Sequence, residues 1–350
     1  MNLTDRVNDR FLRACRRQSV DATPVWFMRQ AGHCLPEYRR VRETATLADI
    51  VRDPALCAEV TLQPVRRLGV DAAILFADIT TPLAGLGVGV ELVDGVGPVI
   101  DRPVRSRTDV DALRPFSAQQ TVGPLLDAIR LLRKELDVPL IGFAGAPFTL
   151  ATYLVEGRSS PTAARLRTMF HADPDTADAL LAQLTEMTVD YLRAQAEAGA
   201  QALQVFDSWV GTLGPRTYQR HVAPHMRRLF AALRDLDVPL IHFGTGNPAL
   251  IRSMAVAGGD VIGIDWRVGL ADAWAQVPDR AVQGNLDPVA LLGPWEAAAD
   301  EARDVLRQAD GKPGHIFNLG HGVLPETDPD HLRRLVDLVH EAAVWVAMPA

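Results

Sequence analysis

DPDTADALLAQLTEMTVDYLRAQAEAGAQALQVFD, residues 173–207, contains one complete helix–strand unit. Apolar side chains recur three and four residues apart along it, the spacing that gives a helix one buried face. Asp173 followed by Pro174 supplies an N-cap and a proline in the first turn, where a missing N–H costs nothing. Gly199 stands where such a helix should end. The run ALQVFD (202–207) then shows no alternation of apolar and polar residues, as expected of a strand buried on both faces of a parallel sheet.

Runs of the same kind occur at PVWFM (24–28), DAAILF (71–76), PLIGFAG (139–145), PLIHFG (239–244), VIGID (261–265), RAVQGN (280–285) and GHIFNLG (314–320), with helical stretches between them. This α/β alternation predicts a single (β/α)8 TIM barrel over residues 1–350, with eight βα units in about 300 residues. A doubly wound open sheet is the competing arrangement. One insertion, TPLAGLGVGVELVDGVGPVIDRPV (81–104), follows the second strand, and Asp94–Gly95 within it reads as the turn of a β-hairpin. GLGVGV (85–90) alternates glycines but lacks the spacing and context of a dinucleotide fingerprint.

Composition excludes several classes. The opening segment, MNLTDRVNDRFLRACRR, has no apolar signal core and reads as an amphipathic helix over about residues 3–19. No apolar run is long enough for a membrane span, so the expected location is the cytosol. A net charge of −7 argues against nucleic acid as a partner, though a barrel mouth can be basic on an acidic protein. Cys15, Cys34 and Cys57 form no CxxC pair and read as free thiols. Only Cys34 lies near a strand end, with His33 as its one soft neighbour, so no metal site is expected. The two lysines, Lys134 and Lys312, lie away from strand ends, which removes Schiff-base chemistry.

In this fold the chemistry sits on the loops that follow the strands. Those positions hold Arg29, Asp78, Asp207–Ser208, Asp265, Asn285 and His321. Asp, Asn and Ser at loop starts also cap helices, so some of these are structural. Arg29 and Asp78 directly follow apolar runs, and a charge so near a barrel core needs a ligand or a partner. The two pairing only with each other is the alternative. Gly244–Thr245–Gly246–Asn247 could hold an anion on backbone N–H groups or simply make a tight turn.

The blocks MRQAGHCLPEYR (28–39), FADI (76–79), IGFAGAPFTLATYLVEG (141–157), FDSWVG (206–211), GIDW (263–266), QGNLDP (283–288) and FNLGHGVLPETDP (317–329) resemble the uroporphyrinogen decarboxylase family in order and spacing. The resemblance runs from about residue 5 to residue 345 and implies decarboxylation of the four acetate side chains of uroporphyrinogen III to methyls. The products are coproporphyrinogen III and carbon dioxide, a step of heme synthesis. It implies no metal or organic cofactor, because a protonated pyrrole ring of the substrate itself accepts the electrons. It implies Asp78 and Arg29 as catalytic residues: Asp78 taking the pyrrole N–H groups, Arg29 holding a substrate carboxylate. Gln30, Ala31, Gly32 and His33 of the N-terminal loop, with Tyr153, Ser208 and His321, would complete the substrate site. A homodimer is also implied.

The family's usual N-terminal block reads RQAGRYLPEYR, whereas this chain has His33 and Cys34 at the second arginine and the tyrosine. Histidine lacks arginine's permanent charge and five-donor fork. Three readings follow: a neighbouring arginine replaces the charge, affinity falls, or the chain is a paralogue with another substrate. Two other functions compete with the decarboxylase. A corrinoid-type methyltransferase of the wider superfamily would need zinc and an HxC element, where this chain has His242–Phe243–Gly244. A non-catalytic tetrapyrrole binder could keep Tyr153 and His321 without the reactive pair.

Overall fold

The computed structural model describes residues 8–93 and 96–346. Strand β1 (Ala73–Ile74) is followed by an antiparallel hairpin, β2 (Val90–Val93) and β3 (Gly97–Ile100). The Asp94–Gly95 turn expected there lies outside the described residues. Six further strands, β4 (Leu140–Gly145), β5 (Ala202–Asp207), β6 (Leu240–Gly244), β7 (Val261–Gly263), β8 (Ala281–Gln283) and β9 (His315–Ile316), line up parallel beside β1 in chain order. Every residue of β4 is buried, because helices cover its outer side and the barrel interior its inner side.

The expected first strand, 24–28, is irregular. Val25 makes a single parallel bridge to Phe317, supported by Phe317 N–H donating to Pro24 O (2.9 Å). On its other side Asp71 N–H donates to Val25 O (2.7 Å). Pro24 has no N–H, and Val25 donates its own to Asp71 Oδ2 (2.7 Å), so a regular ladder lacks donors here. The segment still fills the eighth place, between β9 and β1, and closes the sheet into a barrel. That settles the choice against an open doubly wound sheet. A polar chain crosses the interior from it: Trp26 Nε1 donates to Gln283 Oε1 (3.0 Å), and Gln283 Nε2 to Gln204 Oε1 (3.1 Å).

Helix ends follow their sequence signals where those are strong. Asp173 accepts from Thr176 N–H to cap Pro174–Ala198, and Gly199 ends that helix at φ 123°. The N-terminal helix is shorter than the expected 3–19. Residues 3–7 lie outside the described chain, and the described helix spans Arg10–Cys15. It stops because Arg17 turns left-handed (φ 56°), with Arg17 N–H on Ala14 O and Gln18 N–H on Arg13 O, the paired bonds of a Schellman-type end. The three cysteines are free and buried. No helix among the described residues is long and apolar enough to cross a membrane.

Candidate active site

Arg29, Asp78, Tyr153, Ser208 and His321 each follow a different strand of the barrel, or lie on the helix that does, and so gather at one mouth. Arg29 is third in a four-residue turn closed by Gln30 N–H on Phe27 O (3.1 Å), and takes φ 60° there. That region favours glycine, and a non-glycine residue held in it marks a functional position more often than chance. Its side chain is exposed and, among the described residues, makes no hydrogen bond or carboxylate pair. It does not pair with Asp78, which removes that alternative.

Asp78 is half-buried. Its Oδ1 accepts from the Thr80 N–H (2.8 Å) and the Thr80 hydroxyl, which fixes the carboxylate plane. Among the described residues no hydrogen bond occupies Oδ2. Tyr153, on the helix Pro147–Glu156, lies within the fields of both charges. Burial pushes its hydroxyl above the ordinary tyrosine value, with Asp78 adding to the rise and Arg29 opposing it. The hydroxyl is therefore a proton donor at any working pH.

His321 is pushed down to about 4 by burial first, then by Arg29 and Arg267. Its imidazole is neutral at neutral pH and offers one donor and one acceptor. The glycines around it are needed for close approach. A Cβ on Gly320 would lie 2.3 Å from Trp266 N, and one on Gly322 would lie 2.5 Å from Arg29 Cδ. Asn318 ties this loop to the first one, its Oδ1 accepting from Met28 N–H (3.2 Å) and Leu319 N–H (2.8 Å).

The N-terminal loop divides differently from expectation. The Gln30 side chain is fully buried, accepting from Phe27 N–H (3.0 Å) and donating to Ala72 O (3.1 Å), so it braces the loop. Ala31 is buried, and Gly32 lies close against the Arg29 carbonyl. His33 is exposed, its ring edge-on to Tyr38 at 5.2 Å. Arg39 Nη1 donates to His33 O (3.1 Å) and Cys34 O (3.4 Å), so this arginine braces the loop's backbone. Burial pushes the Cys34 thiol up to about 11.

Two other strand-end residues are structural. Asp265 is fully buried and paired with Arg267 Nη1 (2.6 Å), and it also accepts from Gly246 N–H. The anion at the Gly244–Asn247 turn is thus an internal carboxylate. Asn285 Nδ2 donates to Asp265 O (3.0 Å) and Val268 O (2.7 Å). Arg267 lies 3.9 Å over the Trp266 ring, which stands edge-on to His321. A groove of about 600 Å³ between the Trp266–Leu270 loop and the helix Trp295–Ala309 contains none of Arg29, Asp78 and Tyr153.

The family model for uroporphyrinogen decarboxylase matches residues 6–342. The chain belongs to the uroporphyrinogen decarboxylase family. A uroporphyrinogen decarboxylase from Thermus thermophilus is 53% identical over 339 residues, covering 97% of this chain and 99% of that one. One from Sorangium cellulosum is also 53% identical, over 337 residues, covering 95% and 96%. In fold the chain is like a methyltransferase from Methanosarcina mazei, with a TM-score of 0.82 at 21% identity, covering 95% of this chain and 98% of that one. That identity speaks for the barrel alone.

Within this uroporphyrinogen decarboxylase family member, His242 is sealed away from the mouth. Its ring packs 5.0 Å from Phe230, with Nδ1 on Gly258 O (3.3 Å). No three His, Cys, Asp or Glu side chains converge as metal ligands among the described residues. Sequence reading missed Thr149, whose hydroxyl donates to Asp207 Oδ1 (2.9 Å) and accepts from Trp209 N–H (3.2 Å). Its place four residues before Tyr153 on one helix, hence on the same face, was the available signal.

Proposed function

We propose that this chain is a cofactor-independent carboxy-lyase that converts uroporphyrinogen III to coproporphyrinogen III by removing carbon dioxide from its four acetates. Family membership over nearly the whole chain supports the reaction. The observation that carries the assignment of roles is the pair of unspent charges at one mouth. Arg29 lacks a carboxylate partner and Asp78 keeps Oδ2 unoccupied among the described residues.

Asp78 accepts the pyrrole N–H groups at Oδ2, with Oδ1 anchored on Thr80. As a pyrrole ring is protonated its positive charge grows against this fixed carboxylate, and preorganised charge of this kind is commonly the largest share of catalysis. The bond to the departing carbon dioxide then breaks toward the ring cation, a proton adds to the exocyclic carbon to complete the methyl group, and the ring gives up the proton it took at the start. Arg29 binds a substrate carboxylate. A guanidinium with a pKa above ~12 is a poor acid, so its main work is binding. Tyr153 donates through its protonated hydroxyl, Ser208 through its own, and neutral His321 through one ring nitrogen. Ala31, Gly32 and His33 line the N-terminal loop, with Gln30 holding it from behind.

The same reading makes the protein a cytosolic enzyme with one barrel domain and, by the resemblance, a homodimer. The deciding experiment is anaerobic incubation with uroporphyrinogen III, followed by oxidation and chromatography of the porphyrins. Stepwise loss of carboxylates down to coproporphyrin is expected, unchanged by chelator. Tight binding with no loss of carboxylate from a folded sample would instead make the chain a tetrapyrrole binder.

A further inference from the structure

Asp207 ends β5, next to Ser208, and none of the chemistry above uses it. Its side chain is fully buried. Oδ1 accepts from the Thr149 hydroxyl (2.9 Å), and Oδ2 is buried without a partner. No arginine, lysine or histidine pairs with it among the described residues. Its register partner on β6 is Gly244, which brings no side chain, and Met254 packs over that glycine. The Tyr218 hydroxyl, on the π-helical segment Tyr218–Val222, lies within the fields of Asp207 and Arg227 and is itself buried without a hydrogen bond. A lone ionised carboxylate in such surroundings is costly, and the usual outcome is that it takes up a proton.

We propose that Asp207 is a positioning residue, held as a neutral carboxylic acid, that keeps the Ser208–Trp209 turn seated at the mouth and sets the alkaline limit of turnover. The connection is short. Trp209 N–H donates to Thr149 Oγ1, which donates to Asp207 Oδ1, so the carboxyl anchors the backbone that carries Ser208. Trp209 also packs edge-on against Tyr153, with ring centres 6.0 Å apart. Protonation on Oδ2 removes the uncompensated charge from this buried site. Burial pushes the Asp207 carboxyl up to about 7, so its ionisation falls within the working range. Above that point the carboxylate must be solvated, and the Ser208–Trp209 turn is what has to move.

The inference rests on the placement of Ser208 and Tyr153 at the substrate, and the test separates the two. Anaerobic turnover is measured against pH for the native chain, Asp207→Asn and Ser208→Ala. The native kcat/KM should fall about tenfold per pH unit above about 7. Asp207→Asn, which keeps the neutral shape, should hold its activity through that range. The infrared pH-difference spectrum of the native protein should lose a protonated-carboxyl band as pH rises through about 7, and Asp207→Asn should lack it. An alkaline fall that persists in Asp207→Asn overturns the proposal. So does a native spectrum in which every carboxyl titrates near its ordinary value of about 4, which decides the matter even if the variant fails to fold. Native KM in Ser208→Ala would overturn the route through Ser208 while leaving the infrared titration in place, so the two failures are told apart.

Discussion

Asp71 and Asp78 stand at opposite ends of one stretch, DAAILFAD, and differ in how fully their oxygens are used. Asp71, at the base of the barrel, is saturated. Its Oδ1 accepts from Asn8 Nδ2 (2.9 Å) and Arg10 Nη1 (2.7 Å), and its Oδ2 accepts from Val25 N–H (2.7 Å) and contacts His340 Nε2 (2.8 Å). Burial raises its pKa, yet the His340 and Val25 hydrogen bonds and the Arg10 charge outweigh that and hold it below the usual carboxylate range. It thereby ties the N-terminal helix, the closing segment and the last helix together. Asp78, at the mouth, spends one oxygen on Thr80 and leaves the other for a ligand. The lesson is that a buried acid with every lone pair engaged holds the fold. One that keeps an oxygen open at the mouth has a lone pair left for a hydrogen-bond donor.

The comparison can be broken or sharpened by substitution. Asp71→Ala should have the largest effect, on stability. It leaves Arg10, His340 and the Val25 N–H without their common partner, and breaking a buried ion pair costs about 3–5 kcal/mol. Chemical denaturation checks it, and the fraction still folded should turn over at the native rate; a lost rate with unchanged stability would reverse the roles of the two acids. Asp78→Asn should lower kcat by about 10²–10³ while the denaturation midpoint stays put, since it removes charge from a site that supports no fold contact beyond Thr80. Near-native kcat in a folded Asp78→Asn protein would remove it from the chemistry.

The smallest effect belongs to His33→Arg. His33 is exposed, and Arg39 is occupied with the loop's carbonyls, so a carboxylate near position 33 meets no permanent cation from that arginine. Restoring arginine should tighten substrate binding several-fold, about 1 kcal/mol, through a charge-assisted contact. KM under anaerobic conditions is the readout, and an unchanged KM would place His33 away from the substrate. Weaker binding would point to repulsion by Arg39. If decarboxylation appears only in His33→Arg, the native chain is a paralogue with another substrate.

Much of this was legible in the chain itself because it depends on local order. The runs at 139–145, 202–207 and 239–244 are strands, and Asp173, Pro174 and Gly199 bound their helix as their chemistry requires. Arg29 and Asp78 stood out because charges directly after apolar runs are conspicuous in one dimension. What distance in sequence hides was decided only by the tertiary structure. Whether 24–28 is a strand depends on Asp71, 46 residues away, taking the Val25 N–H. Gln30 turns inward because Ala72 O lies behind it, and the Gly246 N–H faces a carboxylate because Asp265 is folded against it. Asp207 and Asp78 look alike as strand-end acids, yet one is sealed without a cation and the other opens on the mouth. Sequence sets which groups are present and the period of each element; burial and hydrogen-bond occupancy are properties of neighbours, and those exist only once the barrel has closed.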